Sequence, residues 1–223
     1  VAFAPRDAIQ TELLTALQRR FGGRVSAERV ISGKGIVNVY DFFAEKFPGK
    51  VDKDLQKRIK AHPEGAGVIA RAAYDDHLCG EALNLVLDAY GAELGNAAVK
   101  WLPFGGLYVC GGIAVKNRER LKERVFLEAY KDRGRLRPGL DRVPLRLVLV
   151  DDLGLRGAHY VALATLLGGG VVHAPTEEPP AAPAVPPSDG VAPALDRLAA
   201  AISRAAAVVS IGLLAAALLA RRR

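Results

Sequence analysis

The stretch Gly105–Asn117, GGLYVCGGIAVKN, sets a short apolar run between two glycine pairs and leads into a charged segment. An unbroken apolar run bounded by turn residues reads as a buried strand, here GLYVC at 106–110. The segment RERLKERVFLEAY (118–130) follows with helical spacing, and VPLRLVLV (143–150) is a second buried-strand run. Strand, helix, strand predicts a right-handed parallel crossover and hence an α/β fold. Ligands of open parallel sheets gather beyond the carboxyl ends of the strands, which is where Gly111 and Gly112 fall. Without a Cβ these two residues let a planar base or a ribose lie against the backbone. A tight strand-to-helix turn favours glycine as well, so the pattern alone leaves both readings open.

Upstream the pattern is helical. Asp7–Phe21 places Ile9, Leu13, Leu14, Leu17 and Phe21 on one face. GIVNVYDFFAEKF (35–47) predicts a helix after a glycine-rich turn, and DKDLQKRIKAH (52–62) a short, exposed, charged one. From about Gly80 to Leu102 a long helix is predicted, with Leu83, Leu87, Tyr90, Leu94 and Ala98 recurring every three or four residues. On it Gly91 and Gly95 stand four apart, a spacing that favours close helix packing over ligand contact.

Composition narrows the function. Half of the 223 residues are hydrophobic and a quarter charged, enough for a sizeable core, and the formal net charge is +7. That excess is spread out, with no basic block or basic–aromatic interleaving, so it argues for no nucleic-acid partner and fits a phosphate-bearing small ligand or a solvated surface. Cys79 and Cys110 sit in apolar segments and read as small buried hydrophobes, compatible with a reducing compartment. His62, His77, His159 and His173 share no metal-ligand spacing, so no metal site is read. The chain has no methionine and starts at Val1, which predicts that translation starts upstream.

Three regions are expected: a domain over residues 1–168, a proline-rich linker over 169–196, and an apolar helix with a basic end over 197–223. Ala205–Ala220 is 16 uncharged residues flanked by Arg204 and by Arg221, Arg222 and Arg223. It is slightly shorter than the roughly 20 residues that span a bilayer, yet it lacks a polar face, and it is read as a candidate membrane anchor. The domain is expected on the cytoplasmic side because its cysteines are unpaired.

A second glycine-rich segment sharpens the functional reading. SAERVISGKGIVNVY (26–40) places Glu28 before an apolar pair and Ser32-Gly33-Lys34-Gly35 directly before a helix, where backbone amides and Lys34 suit an anionic or strongly polar ligand. Taken with VAFAPRD (1–7), AELGNAAVKWLPFGGLYVCGGIAVKN (92–117), FLEAYKDRGRL (126–136) and VPLRLVLVDDLGLRGA (143–158), the order and spacing resemble the bacterial-type glucokinases. These are ATP-dependent hexose kinases of the actin-like ATPase superfamily, with a ribonuclease H-like fold, and the likeness runs from Val1 to about Gly168.

The resemblance implies that Glu28 accepts hydrogen bonds from glucose hydroxyls. It implies that Gly111 and Gly112 lie along the nucleotide, and that Ser32, Gly33 and Gly35 form the turn bordering the cleft. For a full enzyme it implies in-line transfer of the γ-phosphoryl group of ATP to the sugar 6-hydroxyl with Mg2+, and a homodimer. The family's DxGGT phosphate loop, its aspartate base and its ExGH sugar segment have no match in these 223 residues. The histidine of that segment would directly precede Val1. The chain is therefore expected to contribute no catalytic residue, to form one wall of the site and to be inactive alone. Arg156 stands where the pattern has an apolar residue, suggesting a surface or subunit-contact position. Two other readings remain open at this level. One is a non-catalytic, membrane-tethered remnant that binds adenine nucleotide, or a partner protein through the long-helix face. The other is a sugar kinase acting on an N-acetylated or other hexose.

Overall fold

A computed structural model describes residues 1–150 and 152–167; the linker and the apolar tail read from the sequence lie outside the described residues. The chain divides into two units, Val1–Tyr160 and Val161–Arg223. The first unit is helix-rich α/β. Its helices are α1 (Ala8–Phe21), α2 (Gly33–Lys46), α3 (Lys53–Ala61), α4 (Gly65–Ala72) and α5 (His77–Trp101). Strand β1 (Leu107–Val109), α6 (Gly112–Lys116), α7 (Arg124–Lys131), α8 (Arg137–Leu140) and β2 (Leu145–Leu147) follow, and α9 (Leu153–Leu166) runs across the division.

Local chemistry starts the helices close to where the sequence predicts, α5 three residues before the expected Gly80. The carboxylates of Asp7, Asp52 and Asp76 accept from backbone amides one turn into α1, α3 and α5. The core lies between α2 and α5, where Ile36, Val39 and Tyr40 meet Leu78, Leu83 and Val86, and Leu13 and Leu17 of α1 join the same cluster. Helix α3 departs from its expected full exposure, because Leu55 and Ile59, one turn apart, are buried. Helix α4 is absent from the sequence reading: two glycines within GAGVIARA lower its intrinsic helix preference, and packing overrides that. A Cβ on Gly65 would lie 2.7 Å from the Ile59 carbonyl oxygen, so glycine lets α4 start directly on the end of α3.

Glycine also sets the tightest helix pair. Cβ atoms at Gly91 and Gly95 would stand 2.4 Å from the Phe126 carbonyl oxygen and 2.3 Å from that of Tyr130. Helix α7 therefore rests on the backbone of α5, as the four-residue spacing predicted. The Gly91–Gly95 stripe of α5 is thus occupied by α7.

The two strands pair in parallel, with Leu107 opposite Leu145, Tyr108 opposite Arg146 and Val109 opposite Leu147. Their expected full burial is corrected. Leu107, Val109, Leu145 and Leu147 turn inward, while Tyr108 and Arg146 are exposed, because helices cover only one face of this two-stranded sheet. The second strand also ends early, leaving Leu149 and Val150 exposed. The single helix expected over 118–130 is broken. A 3-10 turn at Arg120–Lys122 leads to Glu123 in extended geometry, and α7 starts only at Arg124. Cys79 is fully buried as read, but Cys110 is exposed, since it follows the last residue of β1 where the sheet no longer covers it. Arg156 is exposed on α9 and pairs with Asp152 at 2.8 Å.

Candidate functional site

Gly33 and Gly112, read from two separate glycine-rich segments, line the same cleft, a cavity of about 450 Å³. Such a volume lies within the roughly 300–1,000 Å³ of small-ligand sites. Three helices converge on it: Gly33 and Lys34 from the start of α2, Glu64 and Gly65 from the start of α4, and Gly112 and Lys116 from the two ends of α6. No protein atom lies within 4 Å of a Cβ built on Gly112, and its φ is not in the left-handed range, so the free chain has room for a side chain there. At Gly33 the nearest atom would be the Ala66 Cβ, at 4.0 Å.

The other glycines of the two motifs take different places. Gly111 does not line the cleft; its φ of 103° turns the chain from β1 into α6, a geometry that side chains resist. Gly35 is buried, because a Cβ there would stand 2.2 Å from the Val30 carbonyl oxygen. Ser32 caps α2, its hydroxyl accepting from the Gly35 amide at 2.8 Å. Gly33–Gly35 are thus the first turn of the helix itself, where the sequence reading had a turn before it; the serine cap starts the helix two residues earlier.

Two cations border the cleft. The Lys34 ammonium has no ion pair or hydrogen bond among the described residues. Lys116 Nζ donates to Glu64 Oε2 at 3.0 Å, joining the α6 and α4 walls. That hydrogen bond and the lysine charge, with His62 and Arg71 adding to them, hold the Glu64 carboxyl below the usual carboxylate range. Glu64, Gly65 and Lys116 escaped the sequence reading. PEGAG at 63–67, a proline followed by spaced glycines, is the signal that would have located this third wall.

Glu28 lies apart from this cleft, exposed on the 3-10 turn Ala27–Arg29, with no partner for its carboxylate among the described residues. Its backbone is nevertheless fixed. The buried Asn38 donates its side-chain amide to the Arg29 carbonyl at 2.9 Å, the Ala27 amide donates to the Val1 carbonyl at 3.1 Å, and the Arg29 guanidinium covers Phe21 at 4.0 Å. Asn38 is a support for Glu28 that periodicity could not reveal, since a polar residue amid apolar positions gives no partner. Burial pushes the Cys79 thiol up, which removes it as a nucleophile. No group of three or more histidine, cysteine or acidic side chains able to hold a metal ion exists among the described residues.

The first unit is an α/β protein with one parallel strand pair and a glycine-walled cleft of small-ligand size. The glucokinase family model matches residues 1–165, and the chain belongs to the glucokinase family. A glucokinase of Nostoc sp. is 38% identical over 173 residues, covering 72% of this chain and 51% of that relative. The glucokinase of Hahella chejuensis is 34% identical, covering 71% and 46%. Among solved structures, a glucokinase from an Antarctic psychrotroph is 29% identical and superposes with a TM-score of 0.59 over 71% of this chain and 47% of that one. The chain spans about half the length of the curated relatives it matches.

Proposed function

We propose that this chain forms the carboxyl-terminal wall of an ATP-dependent glucokinase of the actin-like fold, which converts glucose to glucose 6-phosphate in glycolysis. The observation carrying this reading is that Gly33 and Gly112 line one cleft, with the unpaired Lys34 at its edge. The glycine walls suit the flat faces of adenosine, and Lys34 suits its phosphates. Glu28 is the sugar-hydroxyl acceptor of this reading, supported by its free carboxylate and fixed turn. The residue before Val1 would sit beside that turn, where the family's sugar-binding histidine is expected. Gly111 sets the turn that presents Gly112, and Ser32 and Gly35 set the start of α2, so these three act through backbone geometry. Magnesium would be held by the nucleotide phosphates and by residues outside this chain. A homodimer is carried by family resemblance alone.

Gly112→Val tests the cleft. A Cβ at this position meets no protein atom within 4 Å, so ADP binding of the valine variant measured by equilibrium dialysis is expected to weaken about ten-fold, with an unchanged circular dichroism spectrum. A folded variant with normal ADP affinity removes the nucleotide from this cleft.

We also propose that Ala205–Ala220 anchors an otherwise cytoplasmic protein to a membrane, supported by its uninterrupted uncharged run and flanking arginines. Among the described residues no helix is long and apolar enough to cross a membrane, and this segment lies outside them. A fluorescent fusion is expected to stay with membranes after alkaline carbonate washing and to be released when residues 205–223 are deleted. Release of the undeleted fusion would end the anchor proposal.

A further inference from the structure

Glycine and aliphatic side chains make most of the cleft wall, and they can cover ring faces but cannot receive a hydroxyl proton. Among the described residues lining it, Glu64 is the one carboxylate. Its Oε2 is bound to Lys116 from the opposite wall, while Oε1 accepts no hydrogen bond among the described residues. Behind it, the Glu64 amide donates to His62 Nδ1 at 2.9 Å, which holds the start of α4 in place. The other polar side chain of the lining, Asn117, is buried and already donates its amide to the Ile113 carbonyl at 2.8 Å. An oriented carboxylate with a free oxygen is a good acceptor for a vicinal diol, and a lysine ammonium beside it can donate to the same sugar oxygens.

We infer that Glu64, oriented by Lys116, is the ribose-recognising residue of the cleft, accepting hydrogen bonds from the 2′- and 3′-hydroxyls of a bound ribonucleotide and disfavouring 2′-deoxyribonucleotides. This rests on the nucleotide reading of the cleft given above. A carboxylate oriented toward a hydroxyl favours the ligand that carries it over the analogue lacking it, by the strength of that one hydrogen bond. An exposed ion pair without a ligand does nothing of the kind; both side chains are about two-thirds exposed in the free chain, where such a pair contributes little.

Equilibrium dialysis of the full chain against ADP and 2′-deoxy-ADP separates these readings. The unsubstituted chain is expected to bind ADP about ten-fold tighter than 2′-deoxy-ADP, the size of one hydrogen bond to a charged group. Glu64→Gln is expected to bring that ratio below about two, and Lys116→Gln to lower it in the same direction. A ratio unchanged by Glu64→Gln, with ADP still bound and its binding still weakened by Gly112→Val, overturns the ribose assignment alone. Failure of the unsubstituted chain to bind ADP, or ADP binding indifferent to Gly112→Val, overturns the cleft reading and the assignment with it.

Discussion

Gly91→Ala is expected to destabilise the chain by about 3 kcal/mol, although alanine is the better helix former by nearly 1 kcal/mol. The added methyl would sit 2.4 Å from the Phe126 carbonyl oxygen and 3.1 Å from the Tyr130 amide nitrogen, and both are backbone atoms of a neighbouring helix that cannot swing aside. Relief requires α7 to lift off α5, which opens the packing around Phe126 and Ala129, both buried. For a chain of this size the midpoint of thermal unfolding should fall by roughly 6–12 °C. Gly157→Ala on α9, where no atom lies within 4 Å of the new methyl, should change stability by no more than about 1 kcal/mol. Equal stability of the Gly91 variant and the unsubstituted protein in denaturant titration would mean that α5 and α7 do not meet this closely.

Glu28→Gln is expected to weaken apparent glucose affinity of the complete enzyme by roughly 1.5–3 kcal/mol, the range for hydrogen bonds to a charged acceptor. Glutamine keeps the shape and removes the charge. The side chain is exposed and unpartnered in the chain, so the substitution disturbs no internal contact and stability should hold. The effect should appear in the KM for glucose and in kcat/KM for glucose, with the KM for ATP unchanged, because Glu28 stands outside the glycine-walled cleft. Asn38→Ala, which releases the Arg29 carbonyl, should reproduce part of the loss by freeing the turn that carries Glu28. Unchanged glucose kinetics in Glu28→Gln would take this residue out of the sugar site.

Several features of the site were legible in the sequence, and the reasons they were legible are local. Apolar periodicity placed α1, α2 and α5 to within three residues of their starts, which Asp7, Ser32 and Asp76 cap within one turn. The glycine spacing on α5 announced a close neighbour because only a missing Cβ permits one. Two apolar runs with a helical segment between them announced a parallel pair. Where the reading erred, the deciding atoms were distant in sequence. The strands are half-exposed because helices cover one side only, and Cys110 is exposed because the sheet ends before it.

The glycine motifs draw the line most clearly. By itself the sequence determined that two segments, Ser32–Gly35 and Gly111–Gly112, each place two glycines at the start of a helix, since residue type and spacing suffice for that. Which of these glycines can face a ligand was decided by the tertiary structure. Gly35 is turned against the Val30 carbonyl and Gly111 into a left-handed bend, whereas Gly33 and Gly112 open onto a shared space. The third wall, with Glu64 and Lys116 paired across it, likewise exists only once α4 and α6 are packed. Hydrogen bonds and steric limits along a helix reach a few residues, so sequence patterns record them. A cleft is the gap left between elements packed for other reasons, and its lining follows from the burial of residues that never touch it.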